Sequence, residues 1–205
     1  PEGATGANIA RQIALRAGLP VTVSGVTVNR FCSSGLQTIA IAAQRIIAGE
    51  ADVYVAGGVE SISCVQQEMN QHMLADSWLK EHKPEIYWPM LQTAETVAKR
   101  YHIAKERMDR YGAESQQKAS AAHEAGRFKD EIVAVTVPGK KGDTLVDADE
   151  YPKPGSTLEK IAALRPAFKK DGTVTAANAS GINDGAAAGV LVSEDALPAG
   201  AGAGA

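Results

Sequence analysis

The chain has 205 residues and a mass of 21.4 kDa, with 44% hydrophobic and 22% charged residues, ordinary globular usage that excludes a wholly disordered or fibrous protein. No run of about 20 uncharged apolar residues is present to span a membrane, and 21 basic against 24 acidic residues, a net charge of −3, provide no basic field for duplex nucleic acid. Two cysteines are too few for the disulfide framework of a small secreted domain, and the segment from Pro1 does not read as a charged-then-apolar leader, so a reducing, cytoplasmic setting is expected.

Apolar residues at Ile9, Ile13, Leu15 and Ala17, closed by Gly18 and Pro20, predict a first helix within Thr5 to Ala17. Val21 to Phe31 is rich in Val and Thr and predicts a strand. It runs through Cys32-Ser33-Ser34-Gly35 into a helical pattern from Leu36 to Ala48, apolar on most sides and expected to be buried. Asp52 to Gly58 then predicts a short strand buried on both faces. Strand, helix and strand in succession form a βαβ unit and imply a parallel sheet in an α/β fold.

The middle of the chain differs. From Cys64 to about Thr175 it holds all four histidines, both tryptophans and six prolines, with helices predicted at Leu91 to Tyr101 and Lys105 to Glu124 and a strand at Ile132 to Val137. Ala186 to Val192 returns to the small apolar texture of a core strand. The expected layout is therefore discontinuous: core residues 1–62, an inserted α+β loop subdomain over 63–182, a last core strand over 183–198, and a Gly-Ala tail over 199–205.

Cys32 stands where a strand turns into a helix. Helix N-termini carry unpaired N–H groups and partial positive charge, which favour a thiolate and can hold an oxyanion. Gly35 lets a ligand approach the backbone, and Ser33 or Ser34 can cap the helix. A small inert hydrophobe is the competing reading of such a cysteine. A second run of small residues, Gly172 to Ala186, suits either a ligand-approach loop or a tight connection between packed elements.

Taken together, these runs resemble the thiolase family. Asn29-Arg30-Phe31-Cys32-Ser33-Ser34-Gly35 is similar to its nucleophile motif, Gly57-Gly58-Val59-Glu60-Ser61 to its Gly-Gly-x-Glu-Ser turn, and Asn178 to Ala186 to its Asn-Ala-Ser-Gly-x-Asn-Asp-Gly-Ala signature. Gly126 to Ile132 and Leu164 to Phe168 resemble stretches of the loop subdomain that covers coenzyme A in that family.

The resemblance implies a thiolase-like layered sheet domain and an acyltransferase that cleaves 3-oxoacyl-CoA with coenzyme A, or condenses two acetyl-CoA in reverse, through an acyl group on Cys32. It also implies that Ser180 contacts the pantetheine chain with Ala176 and Ala179 beside it, that Phe168 packs near the adenine, and that Met90 borders the acyl pocket. Lys153 occupies a position where many members carry arginine, and Pro89 one where short-chain members carry histidine. Coenzyme A enters as substrate, with no permanently bound cofactor and no metal, and a homodimer or homotetramer is implied.

The family's Asn-Glu-x-Phe loop, Gly-His-Pro histidine and Cys-x-Gly thiol do not occur in these 205 residues. A longer protein is therefore expected, and a non-catalytic coenzyme A or acyl-CoA binding module or scaffold half is the alternative. Cys64 does not match the second-thiol motif and reads as a structural, buried cysteine. His72, His82, His102 and His123 show no metal-ligand spacing. Lys140 and Lys141 read as a solvated face or as an attraction for the coenzyme's phosphates.

Overall fold

The computed structural model describes residues 6–65 and 68–197, so the expected Gly-Ala tail lies outside the described residues. In chain order the helices are α1 (Ile9–Arg16), α2 (Ser34–Ile47), α3 (Ile62–Val65), α4 (Ser77–His82), α5 (Met90–Arg100), α6 (Lys105–Glu124) and α7 (Leu158–Ala162). The strands are β1 (Val53–Glu60), β2 (Val135–Val137), β3 (Thr144–Val146) and β4 (Gly185–Val192). This mixture is the expected α/β content. Among the described residues two compact units form, one within Pro1–Leu74 and Ile182–Ala205 and the other within Ala75–Gly181.

In the first unit, β1 pairs antiparallel with β4, in register from Val53 opposite Val192 to Glu60 opposite Gly185. The pairing joins the two glycine-rich motifs along one ladder. Helix α2 packs on β1, and there the Thr38 hydroxyl reaches both the Gly35 carbonyl (2.8 Å) and the Gly57 carbonyl (3.0 Å). A Cβ on Gly58 would lie 3.6 Å from the Gly35 Cα, so helix and strand meet there almost backbone to backbone.

Three expectations for this unit are corrected. The segment from Val21 forms no parallel strand with β1; it runs extended with alternate carbonyls along one edge held by α1. The Arg11 guanidinium donates to the Val21 carbonyl (2.8 Å) and to the Val23 carbonyl, and the Asn8 amide donates to the Gly25 carbonyl (2.8 Å). A ladder needs those acceptors free, and here α1 holds the extended chain instead.

Nor is β1 buried on both faces. Tyr54 and Ala56, on the α2 side, are covered, while Val53 and Val55, on the other, are exposed, the period-2 pattern of a sheet with one packed face. Helix α2, expected to be buried, covers only one stripe: Ala42 is buried, while Leu36, Ile39 and Ile47 are exposed.

The second unit is built on α5, α6 and α7 with the small β2–β3 hairpin. α6 matches its expected bounds from Lys105 to Glu124, α5 runs from Met90 to Arg100, and the expected strand shortens to Val135–Val137, paired antiparallel with β3. Its core gathers Ala98, Ala113, Ile161 and Val174. Gly112 permits close packing within it, since a Cβ there would sit 2.6 Å from the Ala177 carbonyl oxygen.

Candidate active site

Cys32 lies two residues before the first residue of α2, with its thiol free and exposed. The turn that presents it is fastened from both sides. Asn29 accepts from the Phe31 amide (2.9 Å), Ser33 donates its amide to the Arg30 carbonyl (3.1 Å), and Arg30 reaches Gln37 (2.8 Å). Phe31 adopts a left-handed φ of 50° and is 87% exposed, a conformation that costs a non-glycine residue of order 1 kcal/mol or more.

The expectation that Ser33 or Ser34 caps α2 is corrected. Ser33 is the N-cap residue but makes no side-chain capping bond. The Ser34 hydroxyl instead accepts from the Arg30 amide (2.8 Å) and donates to the Phe31 carbonyl (2.7 Å). The Ser34 amide is taken by the Phe31 carbonyl (3.0 Å), and with no side chain capping the helix the next first-turn amides, of Gly35 and Leu36, are the ones left for a ligand. Open space around Gly35, where a Cβ would meet nothing within 4 Å, adds room at the same place.

The glycine-rich strands are tied together behind this turn. Asp184 accepts from the Ser63 amide (3.0 Å) and the Ser61 hydroxyl (3.5 Å). Those hydrogen bonds, led by the one from Ser63, hold its carboxyl below the ordinary value. Cys64 is exposed, contrary to its reading as buried. In the single-turn helix α3, the buried position is taken by its neighbour Val65.

In the second unit a cleft of about 490 Å³ is lined by Lys153 and Ala176 of the expected set, together with Gln116, Tyr151, Lys160 and Ala177. Lys153 is fixed by its own amide, which donates to Gln116 (2.9 Å), and its ammonium reaches the Glu150 carbonyl (3.2 Å). Lys160 bonds the Gly155 carbonyl (3.0 Å). Ala179 and Ser180 follow the cleft wall in sequence, with Ser180 exposed. Phe168 and Met90 are also exposed, Met90 at the start of α5, and neither lines this cleft. Lys140 and Lys141 sit between the strands of the β2–β3 hairpin.

The sequence left unread the polar scaffold behind the cleft wall. Glu95 on α5 accepts from the Thr173 amide (2.8 Å), the Thr173 hydroxyl (3.0 Å) and the Val174 amide (2.9 Å). Desolvation pushes its carboxyl up, but the bonds from Val174 and Thr173, with Lys169 nearby, outweigh that and hold it below 4.5. Asp109, 1% exposed, pairs with Lys105 at 2.5 Å and accepts from the Asn178 amide at 3.1 Å. Asn178 also donates to the Thr173 carbonyl (2.9 Å) and accepts from the Thr175 amide (2.7 Å).

Buried Asp and Asn signal such networks in principle, but partners 69 to 79 residues apart leave no local pattern. His82 is spent on a stacked contact with Trp78, ring centres 4.4 Å apart. Among the described residues no group of three His, Cys, Asp or Glu side chains is placed to hold a metal ion, and no helix is long and apolar enough to cross a membrane.

The family model for the N-terminal domain of thiolase matches residues 2–195. An acetyl-CoA acetyltransferase of Chromobacterium violaceum is 48% identical over 201 residues, covering 92% of this chain and 51% of the relative. Among solved structures, the dimeric peroxisomal thiolase of Saccharomyces cerevisiae is 36% identical with a TM-score of 0.79, covering 89% of this chain and 47% of that one. The human mitochondrial 3-ketoacyl-CoA thiolase in complex with CoA is 39% identical with a TM-score of 0.74, covering 92% and 49%. The chain thus spans about half the length of the relatives it matches. The match over nearly the whole chain, the shared fold and the three motifs in order establish that it belongs to the thiolase family, in the N-terminal domain.

Proposed function

We propose that this chain is the nucleophile-bearing part of a thiolase-type acyltransferase acting on acyl-CoA. The single observation that carries the reading is the exposed thiol of Cys32 in a strained, hydrogen-bonded turn at the start of α2, in a chain of this family. The Cys32 thiolate attacks C3 of a 3-oxoacyl-CoA. The C2–C3 bond breaks, its electron pair passes to C2, and protonation there releases acetyl-CoA while a shortened acyl group stays on sulfur. The coenzyme A thiol then attacks that thioester, loses its proton, and leaves as acyl-CoA with Cys32 restored. Backbone amides at the α2 start stabilise the negative charge that develops on the acyl oxygen.

Coenzyme A is assigned to the second unit, with Ser180, Ala176 and Ala179 along pantetheine. Lys153 and Lys160 supply positive charge toward the phosphates, Phe168 lies by the adenine and Met90 by the acyl chain. The two lysines in one cleft support that assignment. Residues 63–182 are proposed as the coenzyme-covering insertion. A homo-oligomer, a homodimer or homotetramer, in the cytoplasm completes the reading, in keeping with the dimeric description of the yeast relative.

Intact-protein mass spectrometry of the full-length protein with acetoacetyl-CoA tests it. One acetyl group mapped to Cys32, and none on a folded Cys32→Ala variant, is the expected result. Acetylation elsewhere, or full acyl transfer by Cys32→Ala, overturns it. Stabilisation by coenzyme A with no covalent adduct would favour a binding module instead.

A further inference from the structure

The wall of the coenzyme cleft is a loop of small residues, Thr175 to Ser180, with little side-chain bulk to hold itself in place. Its shape is imposed from outside. At its head, the Glu95 carboxylate takes the amides of Thr173 and Val174 and the Thr173 hydroxyl, all within 3.0 Å. Gly172 lies so close to Glu95 that a Cβ there would collide with the carboxylate oxygen. Farther along, Asn178 joins the loop to buried Asp109 (3.1 Å) and to Thr175 (2.7 Å). Between these two anchors hang Ala176 and Ala177, both on the cleft. Thr175, whose own backbone is held by Asn178, is 0% exposed and cannot shift without repacking.

Glu95 itself is not on the cleft. A carboxylate accepting several hydrogen bonds from consecutive backbone groups is a rigid fixture, because each bond restrains the same short segment. Loss of it removes the acceptor for the Thr173 and Val174 amides just ahead of Ala176. The segment is then held only through its carbonyls, by Asn178 on Thr173 (2.9 Å) and by the Ala167 amide on Val174 (2.9 Å), and must readjust against them.

We propose that Glu95 is a positioning residue for coenzyme A: by clamping the 173–174 backbone it sets the form of the Ala176–Ala177 wall, and so the affinity for the coenzyme, without touching it. The inference rests on the reading of that cleft as the coenzyme A site. It gives Glu95, one turn and a half into α5, a share in coenzyme recognition that the resemblance did not assign to it. Glu95→Gln is the sharp variant: it removes the negative charge and replaces one of the two accepting oxygens by a donor, so it cannot accept from both the backbone amides and the Thr173 hydroxyl as the carboxylate does. Thr173→Val is the mild one, removing a single hydroxyl bond from an isosteric side chain.

The experiment titrates the full-length wild type and both variants with coenzyme A by calorimetry and measures KM and kcat with acetoacetyl-CoA and coenzyme A. Expected for Glu95→Gln is an about tenfold rise in Kd and in KM for coenzyme A, with kcat at saturation within about twofold of wild type. Thr173→Val should move the same quantities in the same direction by about two- to threefold. A purely structural role would lower the melting temperature and the active fraction while the folded protein kept the wild-type Kd. That result in Glu95→Gln overturns the proposal. If Glu95→Gln does not fold, an unchanged Kd in Thr173→Val overturns it. Wild type that fails to bind coenzyme A overturns the cleft assignment and this proposal together, and is told apart because the failure is present without any substitution.

Discussion

Asn178 donates its side-chain amide to Asp109 at 3.1 Å, from the third signature motif to the second turn of α6. With its other two bonds, to the Thr173 carbonyl and from the Thr175 amide, this makes the first residue of the motif a structural fastening. Asn178→Ala leaves Asp109 and the Thr175 amide short of partners in a buried setting. A buried polar group so orphaned costs about 1–3 kcal/mol, which urea denaturation should register as a lower midpoint with unchanged slope. Cys32 alkylation by iodoacetamide in the folded variant should proceed at the wild-type rate.

Gly112→Ala should destabilise, against the usual trend. Replacing glycine within a helix by alanine ordinarily gains about 1 kcal/mol. Here the new methyl would stand 2.6 Å from the Ala177 carbonyl oxygen, and overpacking of that kind costs about 1–3 kcal/mol. The steric term wins. A melting temperature above wild type would show that the loop yields more easily than its bonds suggest.

Gly35→Ala separates room for a ligand from room for packing. Nothing lies within 4 Å of a Cβ at this position, and it is in the first turn of α2, so stability should hold or rise by up to about 1 kcal/mol. Acylation of Cys32 by acetoacetyl-CoA should nevertheless slow at least about tenfold, because the methyl narrows the open approach to the α2 start that an acyl group on Cys32 would use. Equal losses of stability and rate would contradict this.

Acid should loosen the second unit through Glu95. Its carboxyl is held below 4.5 in the folded chain, so the unfolded state takes up its proton first as pH falls. The stabilisation is fully present above about 4.5 and disappears as pH descends through the folded value. Lys169 adds a favourable charge interaction with the same carboxylate. Urea midpoints measured from pH 6 to 3.5 should fall more steeply for wild type than for Glu95→Gln. Parallel profiles would show that Glu95 contributes nothing to the acid limb.

The long elements were legible in the sequence, for a physical reason: α6 runs for 20 residues, enough periods for the pattern to declare itself. Helices of four to six residues, α3, α4 and α7, offer about one turn and hence no period. Val21 to Phe31 was misread because β-propensity reports side-chain fit, not whether the carbonyls are free. Arg11 and Asn8 occupy them, and nothing in the strand's own composition says so. The thiol turn was readable because its residues are contiguous. The Glu95 and Asp109 anchors were not, because each meets the loop it holds across a closure of roughly 70 residues or more, and the Lys105–Asp109 pair on α6 gives no sign of it.

The distance along the chain between those anchors and what they hold has a consequence for synthesis. Ribosomes deliver the polypeptide from the N-terminus, so α5 and α6 emerge well before Thr173 to Asn178 exists. Until then the Glu95 and Asp109 carboxylates have no loop to hold, and burying either would be costly. This unit is therefore expected to acquire its final form in one late step, once the signature motif has cleared the exit tunnel. A nascent chain stalled before Thr173 should remain sensitive to protease, and one released a few tens of residues later should be resistant.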